Sequence, residues 1–252
     1  EAPARRPAPR TIIVAGTNGK GSTTIFTEAL LRASGFRVGS TISPHIHEFN
    51  ERVRIDGRAA DDATLAAAFA AVEAARGDTT LTYFEYSALV ALWTFRAAQV
   101  DVAVLEVGLG GRLDAMNLVS ADVAIVTSIG LDHEAFLGSD IEGIGREKAG
   151  VFRPGCTAVI GSDVTRSVHE EATRLGCRIR AMGRDFQMSA TPRSWSWNSS
   201  DLVLEELPWG QLAPYNCALA IEAVRAVTPV TKTAVLAALS AATLPGRCER
   251  WL

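Results

Sequence analysis

Apolar residues along this chain follow two alternating rhythms. Short runs dense in β-branched residues fall at 11–14 (Thr-Ile-Ile-Val), 36–42, 101–107, 123–128, 157–160 and 178–182. Between them, at 23–33, 61–76, 81–99, 141–149 and 165–175, apolar residues return every three or four positions. The first rhythm belongs to strands covered on both faces, the second to helices with one buried side. Strands interleaved with helices along the chain predict an α/β fold, a mostly parallel sheet flanked by helices. Asp61 or Asp62 can cap the helix that follows them, and Gly150 with Pro154 ends the one at 141–149. Trp93 and Phe95 read as ordinary core. Residues 43–55 read as a loop, because Pro44 cannot continue a hydrogen-bonded ladder. At 186–204 the rhythm shortens into alternating runs broken by serine-rich turns, including Ser194-Trp195-Ser196-Trp197, which predict small antiparallel strands at the edge of the sheet. Helices at 215–227 and 231–242 complete the series.

Composition narrows the classes this fold can serve. The 252 residues are 48% apolar and 21% charged, enough for a sizeable core, and the formal charge is −3. With a pI near 5.9 there is no global attraction to nucleic acid or to an anionic membrane, so any anion site must be local. Cys156, Cys177, Cys217 and Cys248 form no C-x-x-C pair, which suits reduced thiols in a cytoplasmic protein, with disulfides as the alternative. Residues 1–10, rich in Pro, Ala and Arg, lack the apolar stretch of a signal peptide, and no apolar run reaches membrane-spanning length.

The candidate chemistry gathers at the carboxyl ends of the expected strands. Directly after the first strand comes Gly16-Thr17-Asn18-Gly19-Lys20-Gly21-Ser22, then a helix. A glycine loop between strand and helix can turn its backbone N–H groups and the positive helix end onto an anion, with Lys20 reaching further phosphates. The spacing fails the strict G-x-x-x-x-G-K-[ST] pattern, so a phosphate loop and a purely structural turn both stay open. Glu106 closes the 101–107 strand and precedes Gly108-Leu109-Gly110-Gly111-Arg112-Leu113-Asp114. A carboxylate at a central strand end lies where open α/β sheets bind ligands. His133 follows the 123–128 strand in the same way, as a candidate metal ligand or a structural residue.

Several of these wordings occur together and in order: the glycine loop, Ser43-Pro44-His45 with Asn50-Glu51-Arg52, Thr82-Tyr83-Phe84-Glu85, Glu106 to Asp114, Leu131-Asp132-His133, and Arg146-Glu147-Lys148-Ala149-Gly150. The set resembles the folate-ligating branch of the Mur ligase superfamily, the dihydrofolate and folylpolyglutamate synthases. The resemblance implies a P-loop NTPase-like central domain. It also implies an ATP- and Mg²⁺-dependent ligation of L-glutamate to dihydropteroate or folate through an acyl phosphate. By resemblance, Gly16 to Ser22, Asn216 and Arg247 contact nucleotide, and Ser43, Glu106 and His133 hold metal. Lys20, Glu106, His133 and Lys148 serve catalysis, with Lys148 carbamylated, while Thr82, Phe84, Asp114 and Ala115 hold the pterin. Residues 1–10 would be an N-terminal extension, 11–244 the ATP-binding domain and 245–252 the start of a hinge into a C-terminal domain beyond this chain. A monomer without nucleic-acid or membrane partners is expected. A cell-wall Mur ligase shares the ATP chemistry but has no need of Thr82-Tyr83-Phe84-Glu85; a non-catalytic nucleotide-binding fragment is the other alternative.

Overall fold

A computed structural model describes residues 6–131 and 139–247. Its main sheet has eight strands. In chain order these are β1 (Arg10–Ala15), β2 (Val38–Thr41), β3 (Val53–Ile55), β4 (Arg58–Ala59), β5 (Val102–Glu106), β6 (Val123–Ser128), β7 (Thr157–Asp163) and β8 (Arg178–Ala181). Their spatial order is β4-β3-β2-β5-β1-β6-β7-β8. The six strands from β2 to β8 in that order are parallel, and β3 and β4 are antiparallel. The crossover from β1 runs one way to β2, and the connection from β5 runs the other way, past β1, to β6, so a crevice opens beyond the carboxyl end of β1.

Every residue of β1 after Arg10 is buried, and its side chains feed two cores. Ile12 and Val14 point to one face, covered by α1 (Lys20–Ala33), α6 (Pro214–Arg225) and α7 (Lys232–Ala241). Ile13 and Ala15 point to the other, covered by α2 (Asp62–Arg76), α3 (Tyr83–Ala97), α4 (Ile141–Ala149) and α5 (Arg166–Arg174). This is the α/β arrangement that the apolar runs predict. Asp61 caps α2, its carboxylate accepting the Thr64 N–H at 2.8 Å. Among the described residues no helix is long and apolar enough to cross a membrane, and Cys156, Cys177 and Cys217 are free thiols.

Three readings change in the structure. Residues 53–59 are a strand pair extending the main sheet, not a loop; the buried Glu28 on α1 pins it, accepting the Gly57 N–H at 2.8 Å and pairing with Arg54 at 3.1 Å. The strands β9 (Phe186–Ala190), β10 (Trp195–Ser199) and β11 (Val203–Leu207) are antiparallel as expected, and they form a separate three-stranded sheet. That sheet turns Trp195 and Trp197 inward against α6, where the Trp197 indole donates to the Ala218 carbonyl at 3.2 Å. Trp93 is 38% exposed and lies outside the core that holds Phe95, because helical spacing puts the two rings on different sides of α3.

Candidate active site

The glycine loop forms the floor of a cavity of about 1080 Å³ at the carboxyl ends of β1, β2 and β5. Gly16 has φ +144°, and a Cβ there would collide with the Thr127 hydroxyl, so the loop passes over the end of β6 only as bare backbone. Gly19, at φ +83°, starts α1; no side chain caps that first turn and no acidic residue lies in it. An uncapped helix start of this kind leaves N–H groups and the positive dipole end for an anion. Lys20 folds back over the loop, its Nζ donating to the carbonyls of Gly16 at 3.1 Å and Thr17 at 3.2 Å. From below, Lys148, 2% exposed on α4, donates to the same Gly16 carbonyl at 3.1 Å. The buried Asn216 of α6 lies against Gly19.

Glu106 stands where β5 ends, 4% exposed, beside the loop. Its Oε2 accepts the Ser43 N–H at 2.7 Å, and its own N–H donates to the Thr41 hydroxyl at 3.1 Å. Burial pushes its carboxyl up to about 7, against the opposing pull of the Ser43 N–H and of the positive Lys20, Arg247 and Arg52. A carboxylate so short of compensation suits a hard cation, and the oxygens of Glu106 and Ser43 are the donor type that Mg²⁺ takes. Among the described residues no three His, Cys, Asp or Glu side chains form a metal-sized group. His133 falls in 132–138, outside the described residues.

The opposite wall is aromatic. Phe84, in the first turn of α3, lays its ring on Gly108, where a Cβ would fall 2.5 Å from the ring. Thr82 caps α3: its hydroxyl donates to Glu85 at 2.7 Å and accepts the Glu85 N–H at 3.3 Å, so this threonine sits on the rim with its polar group engaged. Asp114 turns inward on its own loop, accepting the N–H groups of Gly108 and Leu109 at 3.0 Å each and of Met116 at 2.8 Å. Burial raises its pKa despite these bonds. The loop rests on α4, with Gly111 so close to the carbonyls of Glu147 and Lys148 that a Cβ would lie 2.7–2.8 Å from them. Ala115 lines the cavity beside Asp114, and Arg247 at the mouth is held through its carbonyl by Gln211 at 2.9 Å.

Thus the cavity is lined by Thr17 to Ser22, Ser43, Thr82, Phe84, Glu106, Asp114, Ala115 and Arg247, while Gly16 lies behind them in the loop and Lys148 and Asn216 support the loop from behind. Arg52 belongs to the Asn50-Glu51-Arg52 wording, but no individual role is assigned to it from the sequence. Its guanidinium faces the cavity, donates to His45 Nδ1 at 2.7 Å and lies 5.3 Å from the centre of the Tyr83 ring. Its signal in the sequence was the Asn50-Glu51-Arg52 wording that follows Ser43-Pro44-His45.

A strand-edge cavity with a glycine loop, a lysine and a buried strand-end glutamate defines an α/β protein of the phosphate-loop type. The model of the Mur ligase middle domain matches residues 14–212, and the chain belongs to that family. Within it, the dihydrofolate synthase/folylpolyglutamate synthase of Escherichia coli (strain K12) is 46% identical over 246 residues, 97% of this chain and 58% of the relative. The structure of E. coli FolC in complex with DHPP and ADP matches with a TM-score of 0.93 and 45% identity, over 96% of this chain and 59% of that one. A bifunctional folylpolyglutamate synthase/dihydrofolate synthase with Mn, AMPPNP and L-glutamate bound matches with a TM-score of 0.90 and 45% identity, over 96% of this chain and 60% of that one. This chain therefore spans about three fifths of the length of these relatives.

Proposed function

We propose that the chain is the ATP-binding part of an acid–amino-acid ligase that joins L-glutamate to dihydropteroate, to reduced folates, or to both. The carrying observation is that one cavity joins the glycine loop and Lys20 to the Phe84 wall, with the buried Glu106 between them. Relatives whose structures hold ADP, AMPPNP, Mn and L-glutamate support the reading. The carboxylate of the acceptor attacks the γ-phosphate to give an acyl phosphate, and the amine of glutamate then displaces phosphate. Attack of one anion on another is limited by repulsion and alignment, so positioning and charge neutralisation carry the catalysis.

In this reading the N–H groups of Gly16 to Ser22 and the Lys20 ammonium hold the phosphates, and Asn216 and Arg247 contact the rest of the nucleotide. Phe84 offers a stacking face to the pterin. Thr82, Asp114 and Ala115 frame its edge, where the one acceptor site of Asp114 not taken by the Gly108, Leu109 and Met116 N–H groups is left for an amino-pyrimidine. Ser43, Glu106 and His133 would hold Mg²⁺, which supplies charge neutralisation when bound. Lys148 is assigned as the carbamylated residue; carbamylation exchanges its cation for an anionic oxygen donor behind the loop. Residues 11–244 form the ATP-binding domain, 1–10 an extension, and 245–252 begin the hinge to a C-terminal domain that closes over the nucleotide. The setting is the cytoplasm and the chain a monomer, with no nucleic-acid or membrane partner.

Calorimetry tests the reading. Mg-ADP should bind the chain, and dihydropteroate should bind it whether or not nucleotide is present. Failure of both ligands to bind the folded chain would refute it.

A further inference from the structure

The parallel ladder between β6 and β7 slips where it reaches the site. Val126 pairs with Ile160, yet Ser128 pairs with Asp163, so Gly161 and Ser162 together face the single residue Thr127. An interruption of this kind leaves backbone groups in need of other partners. They meet in one side chain, the half-buried Tyr215 in the first turn of α6. Its hydroxyl donates to the Thr127 carbonyl at 2.9 Å and accepts the Ser162 N–H at 3.0 Å. A Cβ on Gly161 would come within 2.3 Å of that hydroxyl, so the slot exists only because residue 161 has no side chain.

Both partners of this contact belong to the glycine loop's surroundings. On the strand side, the Thr127 hydroxyl donates to the Asn18 carbonyl at 2.6 Å, and the Thr17 N–H donates to the Ser128 carbonyl at 2.8 Å. On the helix side, the next residue is Asn216, whose amide lies against Gly19. No side chain caps the start of α6, which opens with Pro214. The phenol is therefore the polar tie that fixes the first turn of α6 to the strand end under the loop, and with it the place of Asn216.

We propose that Tyr215 is a positioning residue of the nucleotide site: through its hydroxyl it sets Asn216 beside the glycine loop and touches no ligand itself. This rests on the reading of Gly16 to Ser22 as the nucleotide loop. The test is a double-mutant cycle on the whole chain, with Mg-ADP affinity by calorimetry and the unfolding midpoint measured for wild type, Tyr215→Phe, Asn216→Ala and the double variant. Phenylalanine keeps the ring's packing and removes only the hydroxyl. Tyr215→Phe should weaken Mg-ADP about tenfold, the usual consequence of losing a bridged pair of hydrogen bonds. In the Asn216→Ala background the same change should have less than about a twofold effect. Equal weakening in both backgrounds, or a lower midpoint with unchanged affinity, overturns the proposal. If wild type and Lys20→Ala bind Mg-ADP equally, the loop assignment beneath it is what fails.

Discussion

Glu106 should make the ligand-free protein less stable as pH rises, and Glu106→Gln should remove that dependence. Burial lifts its carboxyl from the ordinary 4.5 to about 7. The folded protein therefore keeps a proton that the unfolded chain has already released. Between those values the native state binds more protons than the unfolded state, so stability falls with increasing pH and the full penalty is present above about 7. A shift of this size corresponds to about 3 kcal/mol, at about 1.4 kcal/mol per unit. In a domain of this length that amounts to roughly 6–12 °C in Tm. Glutamine keeps an oxygen for the Ser43 N–H and has nothing to ionise. The difference in stability between Glu106→Gln and wild type should thus be small near pH 4 and grow to about 3 kcal/mol by pH 8, read from urea unfolding at each pH. Mg²⁺ with nucleotide should narrow the gap at pH 8 by stabilising wild type more than the variant, which has lost the carboxylate that would hold the metal. A glutamine variant less stable than wild type at pH 8, or a pH-independent difference, would refute the reasoning, since either means that the charged carboxylate is already compensated within the protein.

Lys20→Ala should weaken Mg-ADP about 10- to 100-fold, as expected for a charge-assisted contact to phosphate, while leaving Tm nearly unchanged because, among the described residues, its ammonium donates to just two loop carbonyls. Gly108→Ala should displace the Phe84 ring and reduce dihydropteroate affinity about tenfold with ADP binding intact; parallel losses of both ligands would show that the loop moves as a whole. Arg54→Ala strands the buried Glu28 carboxylate and should destabilise the protein by about 3 kcal/mol or more in denaturant unfolding.

How far the sequence could be read depended on the range of the forces involved. The alternation of apolar runs with helical spacing revealed the layered sheet because each side chain of β1 answers to its own face, Ile12 and Val14 to one, Ile13 and Ala15 to the other. The pair β3–β4 escaped notice because its stability comes from an ion pair with Glu28, twenty-six residues from Arg54, which no local pattern announces. Trp93 misled for the complementary reason: aromatic character marks it as core, and only its angular position on α3 exposes it. At the site, Glu106 was visible as a charge at the end of an apolar strand. The inward turn of Asp114 was not, since whether a carboxylate binds a ligand or ties its own loop depends on three N–H groups that fold places around it. Arg52 and Tyr215 belong to the same group, being defined by partners that only the tertiary structure supplies.

The seat of the 108–114 loop on α4 limits how the site could be redesigned. Gly111 backs onto the carbonyls of Glu147 and Lys148 with no room for even a methyl group, whereas Leu113, two positions on, is 78% exposed. Any insertion or enlargement at the base of the loop would lift it off the helix that carries Lys148 and disturb both halves of the cavity together. Variation at the exposed Leu113 would alter the rim alone. A library aimed at a new acceptor substrate would therefore do best to randomise Leu113 while keeping residue 111 as glycine and keeping Arg112, whose guanidinium pairs with Glu147 of α4 at 3.0 Å, so that the search for specificity proceeds without a concurrent search for a new way to seat the loop.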